Sequence, residues 1–184
     1  MENSWSYENE GINENTLLVS EESEKYIAYL EATTDQYMAT LRDIEKRCAQ
    51  QDVVAESIFQ EVAVLNESML QVCEQFEKIV NDKAAIKAAQ VAFRDKTEPI
   101  FSKSYCANRA RTWPQGYQGD YKTIEVAYRN TPLSEGIGYF LDKYMLSATL
   151  AVGVRERIQK LAELLKAELI NRQSPIVLNI ACGS

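Results

Sequence analysis

Ile27, Leu30, Thr34, Tyr37, Leu41, Ile44 and Cys48 recur at alternating steps of three and four residues. That is an apolar stripe held on one helical face over three heptads. A second stripe follows with the same alternation: Ile58, Val62, Leu65, Met69, Val72, Phe76 and Ile79. Ser20 suits the first N-cap, with Glu21, Glu22 and Glu24 complementing the dipole of the first turn, and Asp52 suits the second. Two helices of about 25–30 residues, each roughly 40 Å long at 1.5 Å per residue, are joined only by a short polar segment around Ala49-Gln50-Gln51. They must run antiparallel, as a long helical hairpin.

Asn81-Asp82 reads as the next break, and a third helix is expected from Lys83 to about Lys103. Its face of Ala84, Ala85, Ala88, Ala89 and Ala92 invites close packing, and Pro99 should kink it or end it one turn early. The pattern predicts a bundle domain over 20–104, preceded by a flexible acidic segment, 1–19. From 105 to 133 the character changes. Pro114, Gly116, Gly119 and Pro132 alternate with Trp113, Tyr117, Tyr121 and Tyr128, predicting an aromatic, turn-rich connector or lid. Thr131-Pro132 suits the N-cap and first position of a short helix through Tyr139, Phe140, Tyr144 and Met145. A last helix, about Thr149 to Asn171, carries Leu150, Val154, Ile158, Leu161, Leu165 and Leu169 on one stripe. Arg155, Glu156, Lys160, Glu163 and Lys166 occupy its other face.

The final ten residues are of another kind. Pro175 cannot continue a helix, and Ile176-Val177-Leu178-Asn179-Ile180-Ala181-Cys182 is uncharged, apolar and ends at Gly183. A buried parallel strand emptying into a tight turn has this pattern. Such turns are where open α/β sheets hold nucleotide-like ligands. A lone strand of this kind needs parallel neighbours, so the chain reads as the front part of a longer protein. An ordinary strand or extended tail after the helix is the alternative.

The run Val177 to Ser184 resembles the first motif of class I S-adenosylmethionine-dependent methyltransferases: hydrophobic, hydrophobic, acidic, hydrophobic, small, Cys or small, then Gly-x-Gly. Asn179 stands where the family usually has an acid, and the second glycine would be residue 185. Arg111-Thr112-Trp113-Pro114-Gln115-Gly116-Tyr117-Gln118-Gly119-Asp120-Tyr121 and Gly136-Ile137-Gly138-Tyr139-Phe140-Leu141-Asp142-Lys143-Tyr144 are similar to the region upstream of that motif in a bacterial group. That group includes enzymes proposed to make 3-hydroxy fatty acid methyl ester signals. The resemblance spans about residues 105–184. It implies that Asn179, Ala181, Cys182, Gly183 and Ser184 pass close to the donor S-adenosylmethionine. It also implies that the last helix covers the first strand of the sheet, and that Arg111, Trp113, Tyr117, Asp120, Tyr121 and Tyr139 belong to a lid or substrate-facing surface. The fold expected is therefore mainly α. A long antiparallel hairpin or bundle leads to a helical lid segment and then, in 134–184, to helices and the first strand of an incomplete Rossmann-like methyltransferase domain.

Composition narrows the chemistry. There is no histidine, so no Ser-His-Asp or Cys-His mechanism can be assembled from this sequence. Cys48, Cys73, Cys106 and Cys182 show no CxxC spacing, which argues against a zinc site and for reduced, mostly buried thiols. The net charge of −7 is uneven: residues 1–31 hold eight acids against the single base Lys25, leaving the other 153 residues formally neutral. An acidic lead of this kind argues against nucleic acid as a partner. No apolar run approaches the roughly 18 residues of a membrane span, and the start lacks a secretory pattern, which predicts a cytoplasmic location.

Methyl transfer needs little from the protein beyond binding the donor, aligning the acceptor and excluding water. Of the family's equipment this chain carries only the first motif, so no catalytic residue is assigned and the chain alone is expected to be inactive and to bind S-adenosylmethionine weakly or not at all. The contrasting reading is a stand-alone helical interaction or sensory module whose last ten residues are incidental. In either case the two regular seams leave apolar surface for a further helix, supplied by a homodimer or by the last helix folding back.

Overall fold

The structure, a computed structural model, describes residues 21–49, 55–117 and 119–178. Among them the chain forms seven helices: α1 (Glu21–Cys48), α2 (Ala55–Val80), α3 (Lys83–Phe101), α4 (Tyr105–Thr112), α5 (Tyr121–Arg129), α6 (Gly136–Ser147) and α7 (Thr149–Leu169). No helix among the described residues is long and apolar enough to cross a membrane.

The long hairpin is present, and its seam is the predicted one. Leu30, Tyr37, Leu41 and Ile44 of α1 meet Ile58, Val62, Met69 and Phe76 of α2 in one buried cluster, with Thr34 buried beside it and Leu65 and Val72 partly buried against it. The second stripe drifts at its end. Ile79 is exposed and Val80 takes its place, as expected when a 3.5-residue repeat is laid on a 3.6-residue helix. A polar pair sits inside the seam: Tyr37 Oη donates to Asn66 Oδ1 at 2.9 Å, and Asn66 Nδ2 donates to the Val62 carbonyl at 2.7 Å. Burial raises the Tyr37 phenol well above its ordinary range, so it remains a donor. The expected caps Ser20 and Asp52 and the segment 1–19 lie outside the described residues.

Asp82 does cap α3, its carboxylate accepting from the Ala84 amide at 3.0 Å. The helix runs through Pro99 and stops at Phe101, two residues short of Lys103. Pro99 lies in the last turn, where only one backbone bond is lost to it.

The helix that closes the hairpin is α6. Ile137, Phe140 and Leu141 join the hairpin's own core cluster, and α6 packs against α1, α2 and α3. The last helix does not fold back onto the hairpin; α7 packs on α5 and α6. The covering helix thus comes from the same chain, but from a different part of it than the apolar count suggested.

In the middle of the chain the structure gives one expectation its detail and corrects another. The segment 105–133, expected as an aromatic, turn-rich and helical connector or lid, is built of two helices, α4 and α5, with turns between them. Each is started by a side chain: Ser104 Oγ accepts from the Ala107 amide at 3.0 Å, and Asp120 Oδ1 accepts from the Thr123 amide at 3.1 Å. Each is ended by a left-handed residue, Trp113 and Asn130. The glycines and prolines that suggested a loop occupy only the joints. The correction concerns α6, which begins at Gly136 and not at Thr131-Pro132. The amides of Leu133 and Ser134 are engaged elsewhere, by Asp142, and hold that stretch extended.

The apolar stripe of α7 is there but uncovered. Leu150 is 82% exposed and Leu161 53%, and no residue of this helix is fully buried. Arg155, expected on the charged outer face, is instead half-buried where α5, α6 and α7 meet. Pro175 to Leu178, the described part of the expected strand, form no strand, and Ile176, Val177 and Leu178 are exposed. Parallel pairing needs a neighbouring strand, and there is none among the described residues.

Candidate functional site

Within residues 104–142 one buried carboxylate gathers several polar groups around itself. Asp142 lies in α6 without solvent contact. Its Oδ1 accepts from Ser104 Oγ at 2.6 Å and from the Cys106 amide at 3.0 Å. Its Oδ2 accepts from the Leu133 and Ser134 amides, both at 3.1 Å. Ser104 is thereby fixed to cap α4, and Ser134 Oγ accepts from the Tyr105 amide at 2.7 Å. One side chain thus ties the start of α4 and the approach to α6 into a single joint. Burial, and then the adjacent Asp142 charge, push the Cys106 thiol up to about 12, which removes it as a nucleophile at neutral pH.

The sequence pattern did not single Asp142 out. The signal was available, since a carboxylate interrupts the apolar face Ile137, Gly138, Phe140, Leu141 of a helix whose neighbours are buried.

The six lid candidates do not gather around one pocket. Asp120 is buried, caps α5 and is paired with Arg109, whose guanidinium also lies 5.6 Å from the Tyr105 ring. Burial alone would raise the Asp120 carboxyl, but the Thr123 amide and the Arg109 guanidinium outweigh it and hold it below the usual carboxylate range. With the folded-state value depressed, the unfolded chain takes up protons first as pH falls. This pair's contribution is complete above about pH 4, the ordinary carboxylate value, and is lost as pH drops through the lowered one. The Asp120→Asn protein is expected to lose stability near neutral pH and to show a shallower decline between about pH 4 and pH 2 than the parent. Denaturant midpoints across that range check it; parallel curves would show that the pair does not titrate with folding.

Arg111 turns the other way, toward α3. It donates to Thr97 Oγ1 at 2.7 Å, the Arg94 carbonyl at 3.2 Å and Glu98 at 3.3 Å, and it lies 4.4 Å over the Phe101 ring. Arg94 returns a bond to the Arg111 carbonyl. Burial lowers the Arg111 pKa, as expected for a cation largely out of water. The fork and the stacked plane are both used, so Arg111→Lys is expected to cost about 1–2 kcal/mol. Chemical denaturation measures this, and an unchanged midpoint would leave Arg111 free for another task.

Trp113 and Tyr117 are exposed beyond the end of α4. Trp113 holds the left-handed conformation (φ 46°) that favours glycine, and its indole Nε1 donates to the Ala110 carbonyl at 2.8 Å. Tyr121 is half-buried beside Lys122. Tyr139 stands apart from the other five, edge-on to Phe140 at 5.2 Å, on a cleft walled by α2, α6 and α7. The donor-site candidates Asn179, Ala181, Cys182, Gly183 and Ser184 lie outside the described residues.

Among the described residues no cluster of three or more cysteine or carboxylate side chains is placed to hold a metal ion. Comparison with known proteins finds no matching family model, curated protein or solved structure.

Proposed function

We propose that this chain is the helical N-terminal region of an S-adenosylmethionine-dependent methyltransferase, in which α1–α3 and α6 form a support, α4 and α5 a surface toward the acceptor, and residues 175–184 the first strand and donor turn. The observation that carries the reading is the uncovered apolar surface of α7 followed directly by exposed Ile176, Val177 and Leu178. A helix and an adjoining apolar run that both lack cover have the character of elements that pack within an α/β sheet. The likeness of Val177 to Ser184 to the first motif supplies the donor. The rigid α4–α5 unit, pinned by Arg109–Asp120 and by Asp142, supplies a platform that would not need to order on binding.

The test compares the 184-residue chain with the same chain extended by whatever coding sequence follows Ser184 in its gene. Calorimetry is expected to show micromolar S-adenosylmethionine binding by the extended protein and none by the 184 residues. Micromolar binding by the shorter chain would overturn the division of labour proposed here, and a stop codon directly after Ser184 would overturn the methyltransferase reading.

One observation favours the second reading, a helical interaction module. A groove of about 350 Å³ runs between α1 and α3, walled by Ile27, Leu30, Ala85, Ala89, Ala92 and Phe93. It is the surface through which a homodimer would form, and a stop codon after Ser184 would make it the leading candidate for function.

A further inference from the structure

The cleft that holds Tyr139 has a chemistry of its own. It encloses about 510 Å³ between Phe59 of α2, Asn130 and Pro132 before α6, Tyr139, Lys143, Leu146 and Ser147 of α6, and Val152 and Arg155 of α7. Arg155 is fixed there by one nitrogen. Its Nη1 donates to the Ala127 carbonyl at 3.3 Å and to the Leu146 carbonyl at 3.0 Å, near the C-terminal ends of α5 and α6. A cation at two helix C-termini is favourably placed and held in orientation. Among the described residues both hydrogen bonds of the Arg155 guanidinium are made by Nη1, and none by Nη2 or Nε. The guanidinium thus keeps one edge of its fork for something else.

Lys143 is the second cation. Its Nζ sits 3.9 Å from the centre of the Phe59 ring and 3.1 Å from Glu56, whose carboxylate is largely exposed and also accepts from Gln60 at 3.0 Å. Glu56 is thus the anion that Lys143 holds when nothing else is present. It can be exchanged, because a surface ion pair of this kind is worth little.

We infer that this cleft binds a small molecule carrying an oxyanion, carboxylate or phosphate, on an apolar body. The Arg155 fork and Lys143 take the charge while Phe59, Tyr139, Leu146 and Val152 cover the body. A planar fork with a free edge suits a two-oxygen anion better than a single ammonium would. Two cations set among aromatic and aliphatic walls discriminate against both bare ions and neutral apolar molecules. The inference does not rest on the methyl-transfer reading, since it uses only residues of α2, α6 and α7 and the segment before α6.

Benzoate, phenyl phosphate and the neutral isostere benzamide are the probes, titrated into the 184-residue chain and followed by amide chemical shifts. Benzoate or phenyl phosphate is expected to shift Asn130, Tyr139, Lys143 and Arg155 saturably, and benzamide is not; the tighter of the two anions identifies the headgroup. Arg155→Gln is expected to weaken binding about tenfold. Glu56→Gln, which removes the competing anion, is expected to strengthen it severalfold. Should Arg155→Gln disturb the joint it braces, Lys143→Gln gives the same loss without touching the helix ends. Equal binding of benzamide, no binding of either anion, or a Glu56→Gln variant weakened like the cation variants would each overturn the assignment. The opposite signs of Glu56→Gln and Lys143→Gln are what a merely structural salt bridge would not produce.

Discussion

Replacing Asp142 with alanine is expected to lower stability by about 4–5 kcal/mol, near the upper limit for a single substitution. The carboxylate accepts four hydrogen bonds and is fully buried. Its removal leaves the buried Ser104 hydroxyl and three partly buried amides without their acceptor, and each buried unpaired donor costs about 1–3 kcal/mol. Relaxation of the joint returns part of that sum. Asp142→Asn keeps the shape but presents an amide group to donors, so it is expected to recover no more than half. Urea denaturation with an unchanged slope and a lowered midpoint measures both. If asparagine restored full stability, the charge would be incidental and only the shape of the side chain would matter.

Gly138→Ala is expected to destabilise by about 3–5 kcal/mol, although alanine within a helix ordinarily gains about 1 kcal/mol over glycine. The sign is decided by space. A Cβ at 138 would lie 2.8 Å from the Lys103 carbonyl carbon, 2.9 Å from Ser134 Cβ and closer still to the Lys103 carbonyl oxygen. Two of those three atoms are backbone, so nothing flexible can yield, and α6 would have to lift from the turn that precedes α4. Gly153 provides the control. It lies within α7 with nothing near its missing Cβ, and Gly153→Ala is expected to stabilise by about 0.5–1 kcal/mol. Thermal unfolding of both variants should therefore move in opposite directions. A stabilised Gly138→Ala protein would mean that α6 does not seat against Lys103.

The parts of the fold that were legible in the sequence are those governed by repetition. Twelve of the fourteen residues counted on the two hairpin stripes are buried or partly buried against the core with the thirteenth, Thr34, buried beside them; only Ile79 has drifted outward. Period and length carry that information locally. What was not legible depended on partners far along the chain. The bounds of the two helices in the turn-rich stretch 105–133 were not legible because Ser104 and Asp120, which start them, are each a single residue whose meaning depends on a buried partner, Asp142 and Arg109 respectively. Thr131-Pro132 has the composition of a helix start, but the Asp142 carboxylate claims the next two amides. Arg155 looks like a solvated charge until α5 and α6 bring their carbonyls to it. A hydrophobic pattern records which face is buried, not which polar group meets it there.

The closing role of α6 bears on the order of events during synthesis. Everything the hairpin needs for its own pairing has been translated by Val80, whereas Leu141, which completes the same core, follows about 60 residues later. At roughly 5–20 residues per second, the interval is roughly 3–12 s, far longer than helices take to form and pair. For that time the emerging hairpin leaves the patch that Leu141 will cover, beside Tyr37, Asn66 and Met69, open to solvent or to a ribosome-bound chaperone, with the Tyr37–Asn66 pair at its centre. A polar bond at the middle of a temporarily open seam gives the nascent chain one preferred register while it waits, and makes indiscriminate apolar capture of that face less favourable.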